Sequence, residues 1–167
     1  MMAFGKHGKV ISPALTYSDH LNYAEKLGVA VHRVPLRDDM AIDLEAMARA
    51  VDDSVSLVYV CNPNNPTGMA IDGDELRSFC REVGPTVPIL IDEAYNELTD
   101  RPDYTSMVDL VRGGANILIT RTFSKIFGMA GLRVGYGMGH PDIVSVVNDN
   151  VMALSLIHIS EPTRQAE

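Results

Sequence analysis

The sequence has no apolar run long enough to cross a bilayer, and residues 1–9 lack the apolar stretch of a secretory signal. It contains only two cysteines, Cys61 and Cys80, without a CxxC spacing. This excludes a disulfide framework and favours free thiols in a cytoplasmic protein. The five histidines are scattered without the spacing of metal ligands, so no metal site is expected.

Positive charge is also scarce. Lys and Arg number 14 against 22 Asp and Glu, which gives a net charge of −8 over 167 residues. This acidic balance argues against nucleic acid or an anionic membrane as a partner, and it says nothing about a small-molecule substrate. The length and the 46% hydrophobic content suit one ordinary globular domain with a sizeable core.

Short apolar runs alternate with helical patterns along the chain. Gly28 is expected to end the first helix, Asp43 to cap the second, and Asp72 with Glu75 to form a capping box at the third. The predicted strands are 9–12, 29–34, 56–61, 88–92, 116–121 and 132–137. The predicted helices are 19–27, 43–51, 72–83, one that contains 107–111, and 141–152.

This order of elements predicts the fold class. Strands that alternate with helices, and that are apolar on both faces, indicate an α/β fold with a mainly parallel sheet and helices on both faces. In such sheets ligands bind beyond the carboxyl ends of the strands. The segments 62–68, 92–95 and 122–125 occupy such positions and are rich in polar residues. We therefore expect a ligand site there.

The same three segments carry sequence motifs. They read Asn-Pro-Thr-Gly at 65–68, Asp-Glu-Ala-Tyr at 92–95 and Thr-Phe-Ser-Lys at 122–125, and Arg133 follows that lysine by eight residues. In this order and at these separations, the motifs resemble those of the fold-type I aminotransferases of class I and II, which use pyridoxal 5'-phosphate (PLP). The likeness covers residues from about 9 to 152. Taken singly, the motifs are also explained by a two-proline turn, a helix N-cap and a surface lysine.

The resemblance implies a catalytic role for Lys125, Asp92 and Tyr95. Lys125 would bond to the PLP aldehyde and then move protons, and its apolar, glycine-rich surroundings predict a desolvated amine with a lowered pKa. Asp92 would keep the ring nitrogen protonated, with a helix N-cap as the alternative. Glu93 is the weaker candidate for that role, since strand alternation points it away from Asp92.

The remaining cofactor contacts also follow from the resemblance. Asn65 and Tyr95 would donate hydrogen bonds to the phenolic oxygen of PLP. The phosphate would be bound by the hydroxyls of Thr122 and Ser124 and the guanidinium of Arg133. Tyr17 resembles the aromatic residue that stacks on the ring, with plain packing as the alternative.

Segments 34–43 and 61–65 look most like histidinol-phosphate aminotransferases and their near relatives. This implies a homodimer that transfers the amino group of an amino acid or amino-alcohol phosphate to a 2-oxo acid. Two alternatives stay open. One is another fold-type I reaction, of the C–S lyase or decarboxylase type, and the other is a non-catalytic relative that acts as a binding or regulatory module.

Residues 1–153 are expected to be the central part of the PLP-binding large domain. The small C-terminal domain of the family is expected to be absent, so the chain alone should be inactive. Residues 154–167 read like a translated sequencing adapter and are expected to be a non-biological tail. The coding DNA tests this, since an intact aminotransferase reading frame there would contradict it.

Overall fold

A computed structural model describes residues 2–5 and 8–150. Within these residues, six strands form one sheet: β1 (Lys9–Pro13), β2 (Val31–Val34), β3 (Val55–Cys61), β4 (Ile89–Asp92), β5 (Ile117–Thr122) and β6 (Gly135–Gly139). Their spatial order is β2-β1-β3-β4-β5-β6. Neighbouring strands are parallel except for β5 and β6, which are antiparallel. The predicted α/β class with a mainly parallel sheet is confirmed.

The helices lie on both faces of the sheet. They are α1 (Met2–Gly5), α2 (Asp19–Lys26), α3 (Leu44–Arg49), α4 (Gly73–Val83), α5 (Pro102–Thr105), α6 (Val108–Arg112) and α7 (Pro141–Asn148), with 3₁₀ turns at Asn96–Leu98 and Ala130–Leu132. Residues of α3, α4 and α6 pack into the core on one face, and residues of α2 pack on the other.

The central strand β3 shows why the sheet needs a covering layer of helices on each face. Val58 and Val60 are completely buried in the core that α3 and α4 cover. Leu57 and Tyr59 point to the opposite face and pack with residues of α2. Because such a strand is apolar on both sides, it is stable only between two covering layers.

Asp43 and Asp72 cap their helices as predicted, but no hydrogen bond in the described residues runs from Asp72 N to the Glu75 side chain, so the predicted capping box is only half formed. Asp43 accepts a hydrogen bond from Ala46 N at 2.8 Å at the start of α3. Asp72 accepts one from Glu75 N at 3.3 Å at the start of α4. Gly28 follows the end of α2 with a φ of 88°, a left-handed conformation that glycine adopts at little cost.

The prediction for the last strand is wrong at its start. The strand was expected from residue 132, but a 3₁₀ turn ends at Leu132 and Arg133 has a φ of 52°. A left-handed residue interrupts an extended strand, so β6 begins at Gly135. Such a conformation costs a non-glycine residue roughly 1–2 kcal/mol. The predicted final helix, 141–152, ends earlier, at Asn148, and positions 151–152 lie outside the described residues.

No helix in the described part of the chain is both long and apolar enough to cross a membrane. Across residues 2–5 and 8–150, no group of three or more His, Cys, Asp or Glu side chains is arranged to hold a metal ion. The expected non-biological tail, 154–167, lies outside the described residues and stays a prediction.

Candidate active site

The carboxyl ends of β3, β4 and β5 meet at one edge of the sheet. The strand register places Cys61 beside Asp92, and Asp92 beside Thr120. The loops that follow these strands surround a cavity of about 320 Å³, within the range of roughly 300–1,000 Å³ usual for small-ligand sites. All eight site residues predicted from the sequence line this cavity: Tyr17, Asn65, Asp92, Tyr95, Thr122, Ser124, Lys125 and Arg133.

Two buried asparagines shape the loop that follows β3. Asn62 Oδ1 accepts a hydrogen bond from Ile71 N at 2.8 Å. Asn64 Nδ2 donates to Leu15 O at 3.0 Å, which ties the loop to the segment that follows β1. These bonds satisfy backbone groups that would otherwise be unpaired in the interior, and they leave the next residue, Asn65, at the cavity wall.

Three loops bring Asn65, Tyr95 and Lys125 together. Asn65 Nδ2 donates to the Tyr95 hydroxyl at 3.5 Å. Lys125 Nζ lies 5.1 Å from the centroid of the Tyr95 ring, inside the limit of about 6 Å for a cation–π contact. An amide, a phenol and an ammonium group therefore share one part of the cavity.

The expected desolvation of Lys125 is wrong for this chain. Lys125 is exposed, as is every residue from 126 to 133. The segment turns sharply, with Gly128 N donating to Lys125 O at 3.0 Å, and no element of the described residues buries it. An apolar sequence desolvates a lysine only where another layer packs over it.

Asp92 lies at the floor of the cavity. Its Oδ1 accepts hydrogen bonds from Ala94 N at 3.1 Å and Thr120 Oγ1 at 3.4 Å, and its Oδ2 accepts one from the Tyr59 hydroxyl at 3.5 Å. Burial raises the pKa of Asp92, while these bonds and the charge of Lys125 oppose the rise. The bond from Ala94 N is a cap-like contact. Asp92 makes this contact and lines the cavity as well.

The other end of the cavity offers donors for an anion. Thr122 Oγ1 accepts a hydrogen bond from Ser124 N at 3.0 Å, which tightens the turn at the end of β5. Arg133 is exposed, and its Nη1 donates to Ala130 O at 3.2 Å. Its left-handed backbone is a strain of the kind that clusters at functional sites. Two hydroxyls and a guanidinium suit a phosphate dianion.

Tyr17 forms the remaining wall of the cavity. Its side chain is 41% exposed, and its hydroxyl donates to Asp19 Oδ2 at 3.1 Å. Burial and the neighbouring carboxylate raise the pKa of this hydroxyl. The centroid of the Tyr17 ring also lies 5.6 Å from that of His20, in a tilted arrangement.

Sequence reasoning missed several residues around the cavity. Thr120, Cys61 and Arg121 also line it, and Tyr59 lies beneath it. Thr120 could have been found from the alternation of β5, since it lies two positions before Thr122. Its place beside Asp92, however, depends on the order of the strands in the sheet.

Glu93 lies on the opposite side of β4 from Asp92, as strand alternation predicted. It is completely buried and accepts hydrogen bonds from Ser106 Oγ and Met107 N, both at 2.9 Å. Arg121 donates to it twice, from Nε at 3.0 Å and from Nη2 at 2.8 Å. Both bonds end on Oε2, and this ion pair joins the ends of β4 and β5 beside the cavity.

Glu93→Gln should lower the free energy of unfolding by about 3 kcal/mol, toward the lower end of the usual loss when one partner of a buried ion pair is removed. The lower end applies because Arg121 is partly exposed and still pairs with Glu97, at 3.5 Å between Nη1 and Oε1. Urea unfolding of the full-length protein measures the change. The control is Glu97→Gln, which breaks a more exposed pair and should cost at most about 1 kcal/mol. Equal losses in the two variants would contradict this account of Glu93.

The chain is similar to known proteins over most of its length. The model of the family described as "Aminotransferase class I and II" matches residues 1–166. An aromatic amino acid aminotransferase of Mycobacteroides abscessus is 49% identical over 120 residues, which are 72% of this chain and 34% of that protein. Histidinol-phosphate aminotransferase 1 of Nitrosococcus oceani is 44% identical over 122 residues, 73% of this chain and 33% of that protein.

Solved structures of aminotransferases superpose on most of this chain. The histidinol-phosphate aminotransferase from Clostridium acetobutylicum superposes with a TM-score of 0.81 at 28% identity, covering 90% of this chain and 45% of that one. The enzyme of that name from Sinorhizobium meliloti, solved in complex with pyridoxal-5'-phosphate, gives a TM-score of 0.77 at 29% identity, covering 87% and 39%.

Together, the mainly parallel sheet, the cavity at its strand ends and the likeness to these structures define the class as the α/β fold of PLP-dependent aminotransferases. Within that class, the chain belongs to the aminotransferase class I and II family. It spans about a third of the length of the curated relatives that it matches.

Proposed function

We propose that the chain is the cofactor-binding part of a PLP-dependent aminotransferase, with residues 1–153 forming the central part of its large domain. One observation carries the proposal: a single cavity is lined by an amine, a buried carboxylate, phenol and amide donors, and a cluster of anion-binding groups. PLP presents the matching groups, namely an aldehyde, a ring nitrogen, a phenolic oxygen and a phosphate. The residues present therefore fit the cofactor.

When bound, PLP supplies an aldehyde that reacts with amines and a ring that withdraws electrons from the amino donor. Lys125 Nζ would hold the cofactor at its aldehyde and would move the proton on and off Cα of the amino donor. The Asp92 carboxylate would hold a proton on the ring nitrogen. Burial raises the pKa of Asp92, and the positive charge of that nitrogen would stabilise the ionised carboxylate.

The other cavity residues bind and orient the cofactor. Asn65 Nδ2 and the Tyr95 hydroxyl, which contact each other, would donate to the phenolic oxygen. Thr122, Ser124 and Arg133 would bind the phosphate dianion. Tyr17 would stack on the ring.

We propose histidinol phosphate as the amino donor and a 2-oxo acid as the acceptor. Support comes from segments 34–43 and 61–65 and from relatives named histidinol-phosphate aminotransferase that are 40–44% identical. A second candidate is an aromatic amino acid donor, which the 49% identity to the Mycobacteroides abscessus protein favours. Reactions of the C–S lyase or decarboxylase type and a non-catalytic binding role are the remaining alternatives.

The assay that separates these candidates uses the full-length protein with 2-oxoglutarate as acceptor. We expect kcat/KM for histidinol phosphate to exceed that for phenylalanine or tyrosine by at least about tenfold, a difference of about 1.4 kcal/mol in transition-state binding. The reverse preference would identify an aromatic amino acid aminotransferase. Elimination or decarboxylation products, or bound PLP without any turnover, would contradict the proposed reaction.

We further propose that the full-length protein is a cytoplasmic homodimer. The two cysteines are buried and free, which fits a reducing compartment. Large apolar side chains are exposed at Ile126, Phe127, Met129 and Leu132, which supports a contact between this edge of the fold and further protein. Sedimentation of the full-length protein measures its mass in solution, and a fully active monomer would contradict the dimer.

A further inference from the structure

A buried tyrosine, Tyr59, lies directly beneath the cavity floor. It is on β3 two residues before Cys61, so both side chains point to the same face of the sheet, and it is only 1% exposed. The ring of His20 packs edge-on against it, with 4.5 Å between the centroids. The hydroxyl oxygen of Tyr59 lies 3.5 Å from Oδ2 of Asp92. Packing thus fixes the ring of Tyr59, and its hydroxyl contacts the Asp92 carboxylate.

The two carboxylate oxygens of Asp92 differ in their partners. Oδ1 accepts hydrogen bonds from Ala94 N and Thr120 Oγ1. Within the described residues, Oδ2 accepts a hydrogen bond only from Tyr59. An ionised carboxylate has about four acceptor positions, two on each oxygen. Oδ1 is therefore filled, and Oδ2 keeps one position free for a ligand in the cavity.

The charges around this contact favour Tyr59 as a donor. Burial raises the pKa of Tyr59, and the nearby Cys61 and Asp92 raise it further, so the hydroxyl keeps its proton. Burial also raises the pKa of Cys61 to about 11 and lowers that of His20 to about 4, so both are neutral near pH 7. The titratable groups that act on Tyr59 or Asp92 are Tyr17, His20, Cys61 and Lys125.

We propose that Tyr59 is a positioning residue that acts through Asp92, an inference that rests on the proposed function. Its hydroxyl donates to Oδ2 and holds the carboxylate so that the free position on Oδ2 faces the cavity. That position would accept a hydrogen bond from the protonated ring nitrogen of PLP. When the hydroxyl is removed, the carboxylate becomes more basic, because a hydrogen bond to the charged form no longer stabilises it. The shared proton then moves from the ring nitrogen toward Asp92.

The test uses the full-length protein loaded with PLP that carries ¹⁵N at the ring nitrogen. Tyr59→Phe removes the hydroxyl and keeps the ring, and Tyr23→Phe is the matched control at an exposed tyrosine of α2. The ¹⁵N chemical shift reports the proton on this nitrogen directly. We expect it to move toward the value of neutral pyridine in Tyr59→Phe and to stay unchanged in Tyr23→Phe.

The single-turnover rate with an amino donor should fall about tenfold in Tyr59→Phe, the effect of one hydrogen bond to a charged group. The melting temperature of the PLP-free variant checks that the fold is kept. A purely structural role would lower this temperature without moving the ¹⁵N shift.

The outcomes for Tyr59 and for the proposed function are separable. An unchanged ¹⁵N shift in Tyr59→Phe, together with a neutral ring nitrogen in Asp92→Asn, overturns the role of Tyr59 and leaves the proposed function intact. A ring nitrogen that is neutral in the unaltered protein, or that Asp92→Asn does not affect, contradicts the role of Asp92 itself.

Discussion

Lys125→Ala in the full-length protein should abolish the covalent attachment of PLP and lower the rate of amino-group transfer by at least roughly 10²- to 10⁴-fold, the usual contribution of a general acid–base group. Lys125 is the amine that lines the cavity, and it faces the ring of Tyr95. Its loss removes both the bond to the aldehyde and the group that moves the proton at Cα of the donor. The mass of the borohydride-reduced protein measures the attachment.

The control for this variant is Lys26→Ala. Lys26 is the preceding lysine in the sequence and is exposed at the end of α2. Lys26→Ala should leave the covalent attachment of PLP and the rate of amino-group transfer unchanged, because Lys26 does not line the cavity. If Lys125→Ala still bound PLP covalently, or if Lys26→Ala lost the attachment, the role given to Lys125 would be wrong.

Asp92→Asn should keep some PLP and lose about 10- to 1,000-fold in turnover. A carboxylate beside a cation shifts a pKa by about 1–3 units, and a neutral amide does not. The fraction of ring nitrogen that carries a proton should fall by a similar factor, and electron withdrawal falls with it. Steady-state rates with saturating PLP measure the loss. The control is Asp38→Asn, at an exposed loop aspartate, which should leave turnover unchanged.

The same substitution should not destabilise the PLP-free protein. Burial raises the pKa of Asp92 in the folded state, so between its ordinary and its raised pKa the folded chain binds more protons than the unfolded chain. The free energy of unfolding therefore falls as the pH rises through that window. At neutral pH the buried, ionised carboxylate destabilises the folded chain. Asparagine removes it, so the PLP-free variant should unfold at the same temperature or higher. A large loss of stability at neutral pH would show that Asp92 is mainly a structural cap.

Much of the site was predictable because it lies where the predicted strands end. Asn65, Asp92 and Lys125 each lie at or within four residues of the end of a predicted strand, and the carboxyl ends of parallel strands meet at one edge of a sheet. Their convergence on one cavity follows from the fold class and needs no knowledge of individual contacts.

Other features depended on information that the sequence does not carry locally. Tyr59 lies inside an apolar strand, where a buried tyrosine looks like ordinary packing, and its partner is on a different strand. The left-handed conformation of Arg133 gives no local signal, because residues other than glycine rarely adopt it. The exposure of Lys125 depends on which layers cover its segment, which its own apolar neighbours cannot determine.

The most direct test of the central claim is a half-reaction with the PLP-loaded, full-length protein. Histidinol phosphate is added without any 2-oxo acid, and the cofactor is then released and identified. We predict that bound PLP is converted to its amine form in a one-to-one ratio with the oxo product, and that Lys125→Ala prevents the conversion. Cofactor that remains PLP with every amino donor tested, although it is bound in the cavity, would contradict the assignment as an aminotransferase.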